Sequence, residues 1–184
     1  TWAGASSITL FSQMNEMGLG VDEDKPAVLT GFNSNDIVLA WSGPDDIGGV
    51  GLIVYHWSLP NNEINDWLVG NHLLRYNDVP DLFTECGFAS AQAIVHGVEQ
   101  ALENGAEGAD ATLPENLIPA LEGLEWDGPK GQYTMRAEDH QALVPMYLAR
   151  LITLEGRYQA FYELVKEVLP EEYELPCVAP NCGG

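Results

Sequence analysis

The chain has 184 residues, and 46% of them are hydrophobic, enough for a real core and against wholesale disorder. Its 28 acidic and 7 basic residues leave a net charge of −21, and only Lys25, Lys130 and Lys166 are lysines. Such a surface repels phosphate backbones and anionic lipid headgroups, which argues against nucleic acid as a partner. The charge fits plain solubility, and a salt-rich habitat is the sharper reading of it. No apolar run reaches the roughly 18 residues of a membrane span. Thr1-Trp2-Ala3-Gly4 has no basic segment and no long apolar run, and no Met precedes it. The expectation is a processed or truncated chain.

Ser6 or Ser7 opens a first expected helix, with Leu10, Phe11, Met14 and Met17 on one face and Gly18 as its left-handed stop. Pro26 to Thr30 has the length and apolar content of a strand, and Ile37 to Trp41 reads as a short helix. Gly51 to Trp57 reads as a second strand, whose continuous apolar start predicts burial on both faces, as in a parallel sheet. Pro60 to Arg75 is an expected amphipathic helix with Ile64, Trp67, Leu68 and Leu74 inward, capped by Asn61 or Asn62. The longest expected helix runs from Leu82 to Asn104, with Ala91, Ile94, Val95, Val98 and Leu102 as its buried stripe and Gly105 as its stop. Leu113 to Leu124 is a further helix, and Trp126 to Gly131 is dense in turn formers. Gln132 to Arg136 and Leu143 to Leu154 read as strands. Tyr158 to Val168 fits helix or strand, and the proline-rich tail from Leu169 reads as irregular. Helices and strands alternate over the first half, which argues an α/β fold.

Chemistry is sparse. His56, His72, His96 and His140 lack the i, i+4 partners of a metal or protease motif, and no phosphate loop or nucleophile elbow is present. No catalytic residue, metal ligand or cofactor site is assigned. Cys86 sits in an apolar helix entry, where a small packing role is expected over a nucleophilic one. Cys177 and Cys182 could close a small disulfide loop in an oxidising compartment, or stand as two thiols in a loose tail. Trp2, Phe32, Tyr55 and Trp57 fall at expected strand ends or loop starts, where open α/β sheets bind ligands. Each ring alone suits packing between sheet and helix; together they suit a pocket lining.

The order of segments resembles the C-terminal half of the Leu/Ile/Val-type (type I) periplasmic solute-binding proteins of ABC importers. The resemblance rests on Leu10 to Leu19, Val28-Leu29-Thr30-Gly31 and Gly51 to Val54. Arg75 to Asp81 running into Gly87 to Ala91, Trp126-Asp127-Gly128-Pro129-Lys130-Gly131, Met135 to Gln141 and Pro145-Met146-Tyr147 complete it. It extends to about Glu155, and its specificity lies in order and spacing.

The resemblance implies parts of two three-layer lobes with mostly parallel sheets, joined by hinge crossovers. Residues 1–54 would end the second lobe, 55–136 would belong to the first, and 137–184 would return to the second and form the tail. It implies a receptor that traps a small solute (an amino acid, an amide or a related compound) by hinge closure and makes no covalent change. Membrane permease subunits and the missing N-terminal half of the same protein are the implied partners. A signal peptide in the precursor and a periplasmic or extracellular site, with or without a membrane tether, are the implied location. Trp2 and Ala3 would hold the ligand's polar head, and Tyr55, His56 and Trp57 would lie on the hinge strand near the cleft mouth. Phe32 stands where amino-acid-binding members often carry an acidic residue, which favours a more apolar or neutral solute. His140 would serve hinge geometry. A sensor domain of the same fold and a small hydrolase using Cys86 are the alternative readings.

Overall fold

The computed structural model describes residues 47–154, 160–173 and 176–177, together with 13 and 16–18 near the start. The expected elements at Pro26–Thr30 and Ile37–Trp41 lie outside the described residues. Two compact units are present: Thr1–Leu59 with Tyr147–Glu167, and Pro60–Met146 with Val168–Gly184. The crossings were expected at 54–55 and 136–137.

In the first unit, Gly18 takes φ 70°, the left-handed position expected at a helix stop. β1 (Val50–Ile53), β5 (Met146–Thr153) and β6 (Ala160–Val168) form a sheet in the order β1-β5-β6. β1 pairs antiparallel with β5, in the register Leu52↔Leu148. This corrects the sequence reading of residues 51–57 at two points. The strand is shorter, and its burial alternates, with Gly51 and Ile53 buried and Val50 and Leu52 less so. The alternation is that of a strand covered on one face; the small Gly51 made the sequence look uniformly apolar. Ile53, Leu59, Tyr147, Ala149, Leu151 and Tyr162 form the core of this unit, with Ile47 packed against it. The ambiguous run ending at Val168 is a strand, as its β-branched and aromatic content favours.

The second unit is built on two helices and a meander. α1 (Glu63–Tyr76) starts at Asn62, whose side chain accepts a hydrogen bond from the Asn65 N–H at 2.9 Å, and ends at Asn77, in the left-handed region at φ 55°. α2 (Leu82–Glu103) is capped by Asp81, which accepts from the Thr84 N–H at 2.8 Å, and is followed by Gly105 at φ 103°. A 3₁₀ turn (Gly108–Thr112) leads into α3 (Pro114–Leu121), and β2 (Glu125–Gly128), β3 (Gly131–Met135) and β4 (Ala142–Leu143) form an antiparallel sheet. The turn-dense stretch at Trp126 is therefore half strand: only Pro129 and Lys130 turn, between the paired Gly128 and Gly131. The pairings of β1 with β5, β2 with β3 and β3 with β4 are antiparallel.

The buried face of α2 also differs from expectation. Ala89, Ala93, Gly97 and Ala101 are buried, while Ala91 is exposed and Ile94, Val95 and Leu102 are 56%, 55% and 44% exposed. Residues four apart share one helical face, so the small residues form a seam along the helix. Ala89 and Ala93 meet Trp126 and Tyr133, and Ala101 meets Ala111 and Ala120. A Cβ on Gly97 would come within 2.7 Å of Leu121 Cδ2, so α3 lies directly on that backbone. On α1, Leu68 and Asn65 are buried, while Trp67 and Leu74, expected inside, are 57% and 88% exposed.

Candidate functional site

The segment after β1 carries three of the expected ligand-binding residues. Tyr55 and His56 are buried, at 1% and 5% exposure, and Trp57 is half-buried. The backbone turns at this point, the Leu59 N–H donating to the His56 carbonyl at 3.0 Å. The His56 ring is enclosed by aromatic rings. Phe161 and Tyr162, from β6, stand edge-on to it with centroids 5.2 Å away, and Trp57 is tilted against it at 5.5 Å. Trp57 and Phe161 also meet edge-to-face at 6.0 Å. These separations are those of favourable aromatic pairs.

Desolvation in this setting lowers the His56 pKa from 6.5 to about 4, so the imidazole is neutral at pH 7. The Ser58 backbone N–H donates to Nδ1 at 3.4 Å, and the Ser58 hydroxyl lies 2.8 Å from the same nitrogen. An N–H can only donate, so Nδ1 is an acceptor and the neutral ring carries its proton on Nε2. A neutral ring of this kind packs against Trp57. Phe161 and Tyr162 were not singled out from the sequence. Their run was ambiguous between helix and strand, and only a strand brings these two residues to His56.

Trp2, Ala3 and Phe32 lie outside the described residues, as does Cys182. Cys177 is disulfide-bonded, and Cys86 is free. Cys86 is exposed rather than packed, which corrects its expected apolar role. Although the residue is exposed, its sulfur is partly desolvated, and this first, then the neighbouring Glu85 carboxylate, raises its thiol pKa, the opposite of what a nucleophile needs. His140 has φ 57° and places Nε2 3.0 Å from a Glu122 carboxylate oxygen, tying the β3–β4 turn to the end of α3.

The second unit holds a buried ion pair that sequence reading passed over. Lys130 Nζ lies 3.8 Å from Glu85 Oε2, with the side chains 4% and 1% exposed, and the Tyr133 hydroxyl donates to Glu85 Oε1. Burial lowers the Lys130 pKa, and Glu85 opposes that shift. Asn62 Nδ2 donates to the Pro129 carbonyl at 2.9 Å, so the start of α1 is fastened to the turn that this pair anchors. A buried pair of this kind fixes geometry more than it stabilises. The two residues stand 45 apart in sequence, and the one signal was a lysine in a chain nearly devoid of them.

The sequence pattern of the Periplasmic binding protein family matches residues 1–156. An ABC-type branched-chain amino acid transporter protein from Rhodopseudomonas palustris CGA009 is 34% identical, over 96% of this chain and 44% of its own, with a TM-score of 0.77. The leucine-, isoleucine-, valine-, threonine- and alanine-binding protein of Brucella ovis is 18% identical, over 100% of this chain and 45% of its own, with a TM-score of 0.75. An ABC transporter substrate-binding protein from Sphaerobacter thermophilus is 19% identical, over 91% and 43%, with a TM-score of 0.73. No match was found among curated proteins. The chain spans less than half the length of these solved structures. With the family pattern covering most of its length and the type I fold shared with these structures, the chain belongs to the periplasmic binding protein family.

Proposed function

We propose that the protein is the solute-capturing receptor of an ABC importer. The observation that carries this is the 34% identity, over 96% of this chain, to an ABC-type branched-chain amino acid transporter protein. A small solute (an amino acid, an amide or a related compound) binds between two lobes and favours their closed arrangement. Permease subunits read that closed form, and no covalent bond is made or broken. Phe32, where a carboxylate would pair with a ligand ammonium, favours an apolar or neutral solute. Trp57, half-buried and packed against His56 and Phe161, is proposed to meet it. Trp2, Ala3, Tyr55 and His56 complete the proposed contact set. Assignment of residues 1–54 and 137–184 to the second lobe and 55–136 to the first belongs to the same reading, as do a periplasmic or extracellular location and a precursor signal peptide. A bonded Cys177 suits an oxidising compartment, with Cys182 the proposed partner.

The test is a thermal-shift screen of the full-length protein against amino acids, amides, short peptides and aromatic acids. A solute at a hundred times its Kd adds about 2.7 kcal/mol of stability. A shift that Trp57→Ala or Phe32→Ala removes supports the reading. A well-folded protein that responds to none of the panel overturns it.

A further inference from the structure

Helix α2 is apolar on two sides. Its small residues, Ala89, Ala93, Gly97 and Ala101, form the seam against β2, β3 and α3. Ile94, Val95 and Leu102 stand on another side, at 56%, 55% and 44% exposure. Ala91 and Gly87, both exposed, continue that stripe toward the start of the helix. With 3.6 residues per turn, the five span about 100° of arc, centred about 130° round the helix from the seam. A helix that is apolar on both sides belongs in an interior, and here only one side is covered.

Gly87 carries a second sign. Glycine inside a helix is less favourable than alanine. Yet a Cβ at Gly87 would meet no atom within 4 Å among the described residues. Nothing packed on this unit requires the small residue there. A surface approaching the helix backbone from outside would require it.

Area decides what kind of surface that is. The bare stripe is about 22 Å long and about 10 Å wide, roughly 220 Å². A stable interface between separate proteins takes about 800 Å² from each partner. This face is too small to hold a separate molecule, and a second copy also meets the repulsion between two chains of net charge −21. A segment of the same polypeptide is tethered already, so it loses far less translational freedom on docking. The three solved structures described above match this chain over only 43–45% of their own length, so proteins of this kind contain such further segments.

We propose that this face of α2 is an internal interface, covered by a part of the same polypeptide beyond these 184 residues. The covering surface is apolar. It comes closest to α2 at Gly87 and Ala91 and stands farther off at Leu102, following the taper from small to large side chains. The inference does not rest on the solute reading, because the face can be covered in a protein that responds to no solute in the panel.

Thiol labelling of the full-length protein with N-ethylmaleimide tests it, in a Cys86→Ser background that removes the exposed native thiol. Val95→Cys and Leu102→Cys are expected to react at least about tenfold more slowly than Glu103→Cys, at an exposed position on a different side of the helix. Equal rates in the folded protein would leave the face bare and overturn the proposal. Protection that fades on dilution, with a dimer in sedimentation equilibrium, would make a second copy the cover and overturn it as well. Hydroxyl-radical footprinting of the unaltered full-length protein guards against a cysteine that disturbs the packing. There Leu102 is expected to oxidise at least about tenfold less than Leu74. A merely twofold difference, the ratio of their 44% and 88% exposures, would overturn the proposal.

Discussion

His56 remains neutral because its ring sits among three other rings and beside two Ser58 donors, where an imidazolium would be stripped of water. The consequence is a pH dependence whose sign follows from its lowered pKa. The unfolded chain takes up the proton near pH 6.5, and the folded protein only near pH 4. Between those values the unfolded state binds more protons, so stability falls as pH falls. The contribution is complete above pH 6.5 and is lost progressively down to pH 4, by about 3 kcal/mol in all. Urea denaturation across this window should show the wild type losing more stability than His56→Gln, which has no such proton to take up. Parallel profiles would mean that His56 is solvated. At this scale the sequence was partly legible. It marked Tyr55 and Trp57 by their place at the end of an apolar run, and His56 only through the family resemblance. It was silent on Phe161 and Tyr162, because which residues reach His56 depends on strand pairing with β5 and not on anything local. Glu85 and Lys130 were hidden for the same reason.

The helices show how element existence can be plain while orientation is not. From the sequence, Asn61 or Asn62 marked the start of α1 and Gly105 the stop of α2; the structure adds Asn77 and Asp81, each of which acts on its own few neighbours. The buried face of α2 did not follow, because a stripe of large apolar residues and a seam of small ones compete, and hydropathy ranks the large ones first. Close approach decides otherwise: Trp126, Tyr133 and Leu121 bring their own bulk, and only Ala89, Ala93, Gly97 and Ala101 leave room for it. The hairpin at Gly128 was hidden likewise, since its glycines read as turn. There a Cβ would fall 2.6 Å from Tyr133 Cε2, so the glycine serves ring packing. The seam makes a prediction. Gly97→Leu should destabilise the protein by about 1–3 kcal/mol despite the better helix propensity of leucine, because Leu121 and Leu117 already occupy the space. Denaturant titration of Gly97→Leu, with Ala91→Leu as a control on the exposed face, checks this. Equal stability of the two variants would mean that α3 can move aside.

At the scale of the whole molecule, two opposing surfaces share the chain. A net charge of −21 repels itself, which weakens the compact state and holds copies apart. Against this, Leu74, Phe83, Tyr76 and Trp67, all on the second unit, are 88%, 72%, 62% and 57% exposed, more large apolar surface than a solvated face needs. The sequence displayed the charge openly, but not which apolar residues are exposed, because α1 and α2 turn inward a face different from the one their hydropathy indicates. Salt acts on both surfaces with different readouts. Screening shortens from about 10 Å at 0.1 M to about 3 Å at 1 M, so self-repulsion within one copy fades over that range. The melting temperature of the 184-residue chain should therefore rise with sodium chloride, with most of the gain below about 1 M. The same screening removes the barrier between copies, so sedimentation velocity should show self-association increasing over the same salt series. Leu74→Lys should reduce that association through added polarity, while keeping the rise in melting temperature that the remaining carboxylates cause. A melting temperature indifferent to salt would show that the acidic side chains are too dispersed to strain the fold. A monomer at every salt concentration would show that the exposed apolar residues do not form a continuous adhesive surface.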